Sequence, residues 1–152
     1  MSLTMEVAPR LGTPRQQHTL RSMGNGLLAR ALARTQTPGV DFMFAGRAEL
    51  DLLRTDEIAA SVAALKPDAI INAAALAAVD DAEADPARAF ALNRDAPEAI
   101  ARVCGALGVP FVHVSTDYVF AGDKGALYVE DDARAPINVY GRSKAEGEDR
   151  AL

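Results

Sequence analysis

The sequence holds a single cysteine, Cys104, so no disulfide framework can form within the chain and a reducing compartment is its natural setting. Cys104 lies in the apolar stretch Val103-Cys104-Gly105-Ala106-Leu107, where a small buried hydrophobe is expected and a nucleophile is not. Tryptophan is absent, and three tyrosines and five phenylalanines are few for 152 residues. Alanine supplies much of the apolar share instead, which suits helices packed closely on a sheet. Positive charge is also short: 16 Lys and Arg against 21 Asp and Glu leave a net charge of −5. That leaves no basic surface for a phosphate backbone and argues against a nucleic-acid partner. No apolar run approaches the roughly 20 residues that cross a bilayer, and the N-terminus lacks a basic-then-apolar signal. No membrane partner is expected, and a cytoplasmic location is. The two histidines, His18 and His113, stand in no ligand spacing; His113 is expected to be structural, and no catalytic metal is expected.

What is present is the alternation of a single α/β domain, since 152 residues hold one ordinary core but not two. Residues 1–22 mix Pro9, Gly12 and Pro14 with polar side chains and show neither strand nor helix periodicity, so an irregular leader is expected, with the folded domain over 23–152. Leu27, Leu28, Ala31 and Leu32 mark one face of a helix running to about Arg34. A short strand is expected over 40–44, a helix over 56–65 capped by Thr55 or Asp56, and a strand over 69–72. Residues 82–107 form a long amphipathic stretch with a break expected near Asp95-Ala96-Pro97. Residues 109–115 make the next strand, and a last helix starts near Asn138. This order predicts a doubly wound parallel sheet of the Rossmann type, with ligands bound beyond the strand ends that follow Phe44, Asn72 and Ser115.

Chemistry concentrates at those ends. Tyr140 and Lys144, four apart, share one helix face. A phenol near its reference pKa of about 10 is a poor acid at neutral pH, and a neighbouring ammonium brings it toward the working range. Thr116, just past a strand, is suited to hydrogen-bond the same carbonyl that Tyr140 would protonate. Ala73, Ala74 and Ala75 are small, as a flat cofactor lying against backbone requires. The acids Asp80, Asp81, Glu83 and Asp85 read as a solvated helix start.

Five segments, Gly46-Arg47-Ala48-Glu49-Leu50-Asp51-Leu52, Pro67 through Ala75, Ala89-Phe90-Ala91-Leu92-Asn93, Ser115-Thr116-Asp117-Tyr118-Val119-Phe120 and Val139 through Lys144, together resemble the extended short-chain dehydrogenase/reductases, and within them the dTDP-4-dehydrorhamnose reductases. The resemblance covers residues 24–152. It implies an oxidoreductase that reduces the 4-keto group of dTDP-4-dehydro-6-deoxy-L-mannose with NADPH or NADH, giving dTDP-L-rhamnose. Tyr140 would be the acid, Lys144 would hold the nicotinamide ribose, Thr116 would orient the carbonyl, and Asn93 would anchor a proton-relay water. Gly24, Arg47, Asp51, Leu52, Ala73, Ala74, Ala75 and Ser115 would line the cofactor with Tyr140 and Lys144, Arg47 meeting a 2′-phosphate. Thr116, Asp117 and Tyr118 would meet the nucleotide-sugar substrate. Related dehydratases carry Glu directly after the Thr-Asp pair, where Tyr118 stands here, which favours plain reduction. A sugar-nucleotide epimerase of the same superfamily is the enzymatic alternative; a non-catalytic subunit resembling the β subunit of methionine adenosyltransferase is the other. A homodimer is compatible with the resemblance.

The family opens on an apolar strand and a Gly-x-x-Gly-x-x-Gly turn that cradles pyrophosphate. Gly24 supplies the third glycine, but Arg21 and His18 stand where the others belong, so an altered loop is expected. The sequence ends eight residues past Lys144, at Leu152. The expected reading is a fold incomplete at both ends, from a cut or partly represented chain, with the substrate lobe absent.

Overall fold

The computed structural model describes residues 18–23, 26–35 and 38–152. Four parallel strands form one sheet in the order β2-β1-β3-β4: β1 (His18–Met23), β2 (Val40–Ala45), β3 (Ala69–Asn72) and β4 (Phe111–His113). Helix α1 (Leu27–Arg34) joins the first two strands, and α2 (Ile58–Leu65) precedes β3. The chain then runs through α3 (Val79–Ala84), α4 (Pro86–Phe90), a π-helical segment (Ala91–Asp95) and α5 (Ala96–Leu107) before β4. A short 3₁₀ turn (Asp117–Val119) and α6 (Val139–Ala151) complete the order. This is the parallel α/β class that the sequence implies. Among the described residues no helix is long and apolar enough to cross a membrane.

The sheet crosses over beside β1. From β1 the chain steps to one side to make β2, then to the other side to make β3, so the connections leaving the carboxyl ends of the paired strands β1 and β3 run to opposite sides, the position at which sheets of this kind bind ligands. Two cores flank this arrangement. Ile58 and Val62 of α2 and Ile100 and Cys104 of α5 pack with Ile70 of β3, Ala45 and Leu50. Each of the three isoleucines is fully buried, contributing about 1.5–3 kcal/mol apiece relative to exposure. The second core joins Ala82 and Ala89 to Val139 and Tyr140 at the start of α6, which fixes the N-terminal end of that helix.

Three expectations are corrected. The irregular leader does not extend through residue 22, because His18–Met23 is a strand paired along its length with β2, His18 to Val40 through Met23 to Ala45, and with β3. Ladder bonds on both sides define this strand where its side-chain pattern does not. The helical run breaks at Asp85-Pro86, whereas at 95–97 the backbone stays helical, although α5 does begin at Ala96 with Pro97 in its first turn as expected. Asp85 leaves the helical region (φ −137°, ψ 75°), as steric pressure from a following proline favours, and its carboxylate caps the Arg88 N–H at 3.0 Å. At 91–95 the helix instead widens, with the Ala96 N–H bonded to the Ala91 carbonyl five residues back. That widening lets Pro97 sit inside a continuous helical run despite its missing donor. The third correction is small: α2 starts at Ile58 with Glu57 at its N-cap and no side-chain cap, so neither Thr55 nor Asp56 caps it. Strand β4 is shorter than 109–115, yet Ile70 N–H to Pro110 O and Val114 N–H to Asn72 O continue its pairing on either side. Asn138 caps α6, accepting from the Gly141 N–H at 2.7 Å.

Candidate functional site

Loops after β2 and β3 enclose a cavity of about 390 Å³ whose lining includes Gly46, Arg47, Asp51, Leu52, Ala74 and Ala75. Five residues read from the sequence as cofactor-binding thus meet in one place, and Ala73 stands beside them in the chain. Gly24 lies outside the described residues. Leu53, Arg88 and Leu92 also line the cavity and escaped the sequence reading; Leu92 stands just before Asn93 in a segment already singled out, and that adjacency was the available signal. Arg47 Nε bonds Asp51 Oδ2 at 3.2 Å while the Arg47 side chain stays 74% exposed. The Leu53 N–H, and after it Arg47, holds the Asp51 carboxyl below its ordinary range.

The other half of the site is built on α6 and the end of β4. Tyr140 is buried, its ring edge-on to the ring of Tyr118 at 5.5 Å. Among the described residues no group hydrogen-bonds the Tyr140 hydroxyl. Close approach of α6 to the 3₁₀ turn requires Gly141, where a Cβ would stand 2.2 Å from the Tyr118 carbonyl oxygen. Thr116 is half-buried, with Oγ1 accepting from the Tyr118 N–H and donating to Asp117 Oδ1, both at 3.3 Å. Ser115 donates to Glu148.

Lys144 is the largest fully buried side chain, only 2% exposed. Its Nζ donates to the Val114 carbonyl at 2.6 Å and lies 3.2 Å from His113 Nε2. Burial pushes its pKa down to about 8, against a smaller opposing effect of Glu148. His113, on β4, is pushed down to about 4 by burial and then by the charge of Lys144. The other ring nitrogen, Nδ1, is 3.1 Å from Asn72 Nδ2, and Asn72 Oδ1 accepts the Ala74 N–H at 3.1 Å. His113 was read from sequence as structural; its place beside Lys144, 31 residues on, leaves no mark in local spacing.

Asn93 sits in the π segment, fully buried. Its Oδ1 accepts the Leu76 N–H at 2.8 Å, and its Nδ2 donates to the Leu76 carbonyl at 3.1 Å and to Ser143 Oγ at 2.9 Å. The amide therefore clamps the loop after β3 onto α6. Gly147 permits this contact, since a Cβ there would stand 2.0 Å from the Asn93 carbonyl oxygen. The acids near α3 have local uses: Glu83 accepts the Val139 N–H at 2.7 Å, and Asp85 caps α4.

A crossover parallel sheet, a cavity at the ends of its strands and a Tyr-Lys pair on the helix beyond the last strand define a Rossmann-type domain of the short-chain reductase kind. Residues 18–152 match the RmlD substrate binding domain family. The dTDP-4-dehydrorhamnose reductase of Sinorhizobium fredii is 48% identical over 124 residues, 82% of this chain and 42% of that protein. That of Burkholderia thailandensis is 43% identical over the same shares. The solved dTDP-4-dehydrorhamnose reductase of Bacillus anthracis, in complex with NADP, matches with a TM-score of 0.85 at 31% identity, covering 91% of this chain and 50% of that one. The chain belongs to the RmlD family, that of the dTDP-4-dehydrorhamnose reductases. It spans less than half the length of these curated relatives.

Proposed function

We propose that this chain carries the cofactor-binding and proton-donating part of a dTDP-4-dehydrorhamnose reductase, acting on dTDP-4-dehydro-6-deoxy-L-mannose with NADPH or NADH to give dTDP-L-rhamnose. The observation that carries the reading is Lys144, a buried amine fixed at the end of β4 one helical turn from Tyr140. A buried amine far below its ordinary pKa has no stabilising purpose of its own, and such groups gather where chemistry needs them. The residues fit a dinucleotide: small Ala74 and Ala75 face a cavity edged by Asp51 and by the exposed guanidinium of Arg47, a donor suited to a 2′-phosphate. The Bacillus anthracis relative's complex with NADP supports the same ligand class.

When bound, the nicotinamide supplies hydride to the sugar carbonyl carbon. Tyr140 gives its hydroxyl proton to the carbonyl oxygen, and the ammonium of Lys144 stabilises the phenolate that results. Thr116, whose hydroxyl donates to Asp117 in the free chain, would orient the same oxygen. Asn93 holds Leu76 and Ser143 in register with α6 through an amide that bonds both. Tyr118 after the Thr116-Asp117 pair favours reduction over dehydration.

Titration of the 152-residue chain with NADPH and NADH, followed by nicotinamide fluorescence, tests the reading. Saturable binding, weakened at least about tenfold in Lys144→Ala and little changed in Tyr140→Phe, is expected from loss of a ribose contact of about 1.5 kcal/mol or more. Absence of binding at millimolar cofactor would overturn it. Turnover of a 4-keto-deoxysugar nucleotide is then the second measurement.

A further inference from the structure

The chain of hydrogen bonds behind Lys144 has only one consistent polarity. The Ala74 N–H can only donate, so the Asn72 atom that meets it is Oδ1 and the amide NH₂ faces His113 Nδ1. An amide nitrogen has no lone pair to offer, so Nδ1 must accept. The ring is neutral, held near pKa 4 by burial and by Lys144, and a neutral imidazole that accepts at Nδ1 carries its proton on Nε2. That N–H is directed at Lys144 Nζ, 3.2 Å away. An ammonium there would set donor against donor, whereas a neutral amine presents its lone pair. The Val114 carbonyl accepts from Nζ in either state and does not discriminate.

We infer that His113, locked as its Nε2–H tautomer by Asn72, hydrogen-bonds the neutral amine of Lys144 and thereby favours its deprotonated form. His113 is thus a positioning residue acting through Lys144. Other charged groups around α6 do not replace it. Tyr140 lies one turn before Lys144, and Glu148 one turn after it opposes deprotonation while engaged by Arg134 and Ser115. From the π segment and α5, Arg94 pairs with Glu146, and Glu98 with Arg150. The consequence for turnover rests on the reductase reading: above its own pKa, Lys144 can no longer steady a Tyr140 phenolate, so the pair fixes the alkaline limit of the site.

Long-range ¹H–¹⁵N correlation spectra of the labelled 152-residue chain read the tautomer directly, with His113→Phe assigning the ring against that of His18. A bare Nδ1 and a protonated Nε2 are expected from about pH 6 to about pH 9, a range above the His113 titration and spanning that of Lys144. A proton on Nδ1, or an imidazolium at the acid end, would overturn the inference. The titration of Lys144, followed at its Cε, supplies the second reading. It should rise by about one pH unit in His113→Phe and stay near the wild-type midpoint in His113→Gln, whose amide N–H can reach the position of Nε2–H. An unmoved midpoint in His113→Phe counts against the inference. Neither reading depends on cofactor, so a chain that shows this tautomer but binds no NADPH would sink the reductase reading alone.

Discussion

His113 and Lys144 are each held away from their ordinary protonation behaviour by burial, and for His113 this makes fold stability depend on pH. The free imidazole titrates at 6.5 and the folded one near 4. As pH falls through 6.5 the unfolded chain takes up the proton first, so stability drops between pH 6.5 and about 4 and is unaffected by this group above that window. The loss amounts to as much as about 3 kcal/mol. Urea unfolding from pH 7 down to pH 4 should show a steeper decline for the wild type than for His113→Phe; parallel curves would refute the assignment. The Tyr140–Lys144 pair was legible in sequence because four residues are one helical turn. His113 and Asn72 as its partners were not, because contacts between strands and a helix are set by the sheet and not by spacing along the chain.

Among the elements, α6 depends on two glycines that let it touch backbone. At Gly147 a methyl group would lie 2.0 Å from the Asn93 carbonyl oxygen, and neither helix can retreat without breaking the Asn93–Ser143 bond. Gly147→Ala is therefore expected to destabilise the chain by about 3 kcal/mol or more. Gly105→Ala, in α5 with nothing within 4 Å of the added atom, should be neutral or stabilising by up to about 1 kcal/mol through helix propensity. Equal unfolding midpoints for the two variants would contradict this picture of α6. Three helix ends were readable: Asn138 caps α6, Gly108 closes α5 with φ 66°, and Lys66 before Pro67 closes α2 in the left-handed conformation at φ 45°. Strand β1 was not readable, because Thr19-Leu20-Arg21-Ser22 lacks the apolar run of a central parallel strand. Its pairing to both neighbours is a property of the sheet. The π segment escaped for a related reason, since a bond five residues back has no compositional mark.

For the molecule as a whole, Cys104 reports on integrity. It is 1% exposed within the core of α2, α5 and β3, and burial pushes its thiol pKa up. Its modification by a thiol reagent should be slow in buffer and complete once urea unfolds the chain; rapid native labelling would mean that this core opens readily. The class of fold and the Tyr140–Lys144 pair were visible in sequence because five short segments carry them in order, whereas the way one helical run divides itself between two cores was not. Ala89 packs toward α6, while Ala96, Ile100 and Cys104 pack toward the sheet. On an uninterrupted α-helix, Ala89 and Ala96 would be about 20° apart in azimuth and could not face different neighbours. The extra residue held in the π turn acts as a phase shifter: it sets the downstream stripe back by about 100°, so that a single rod serves two interior surfaces, much as an offset crank drives two planes from one shaft.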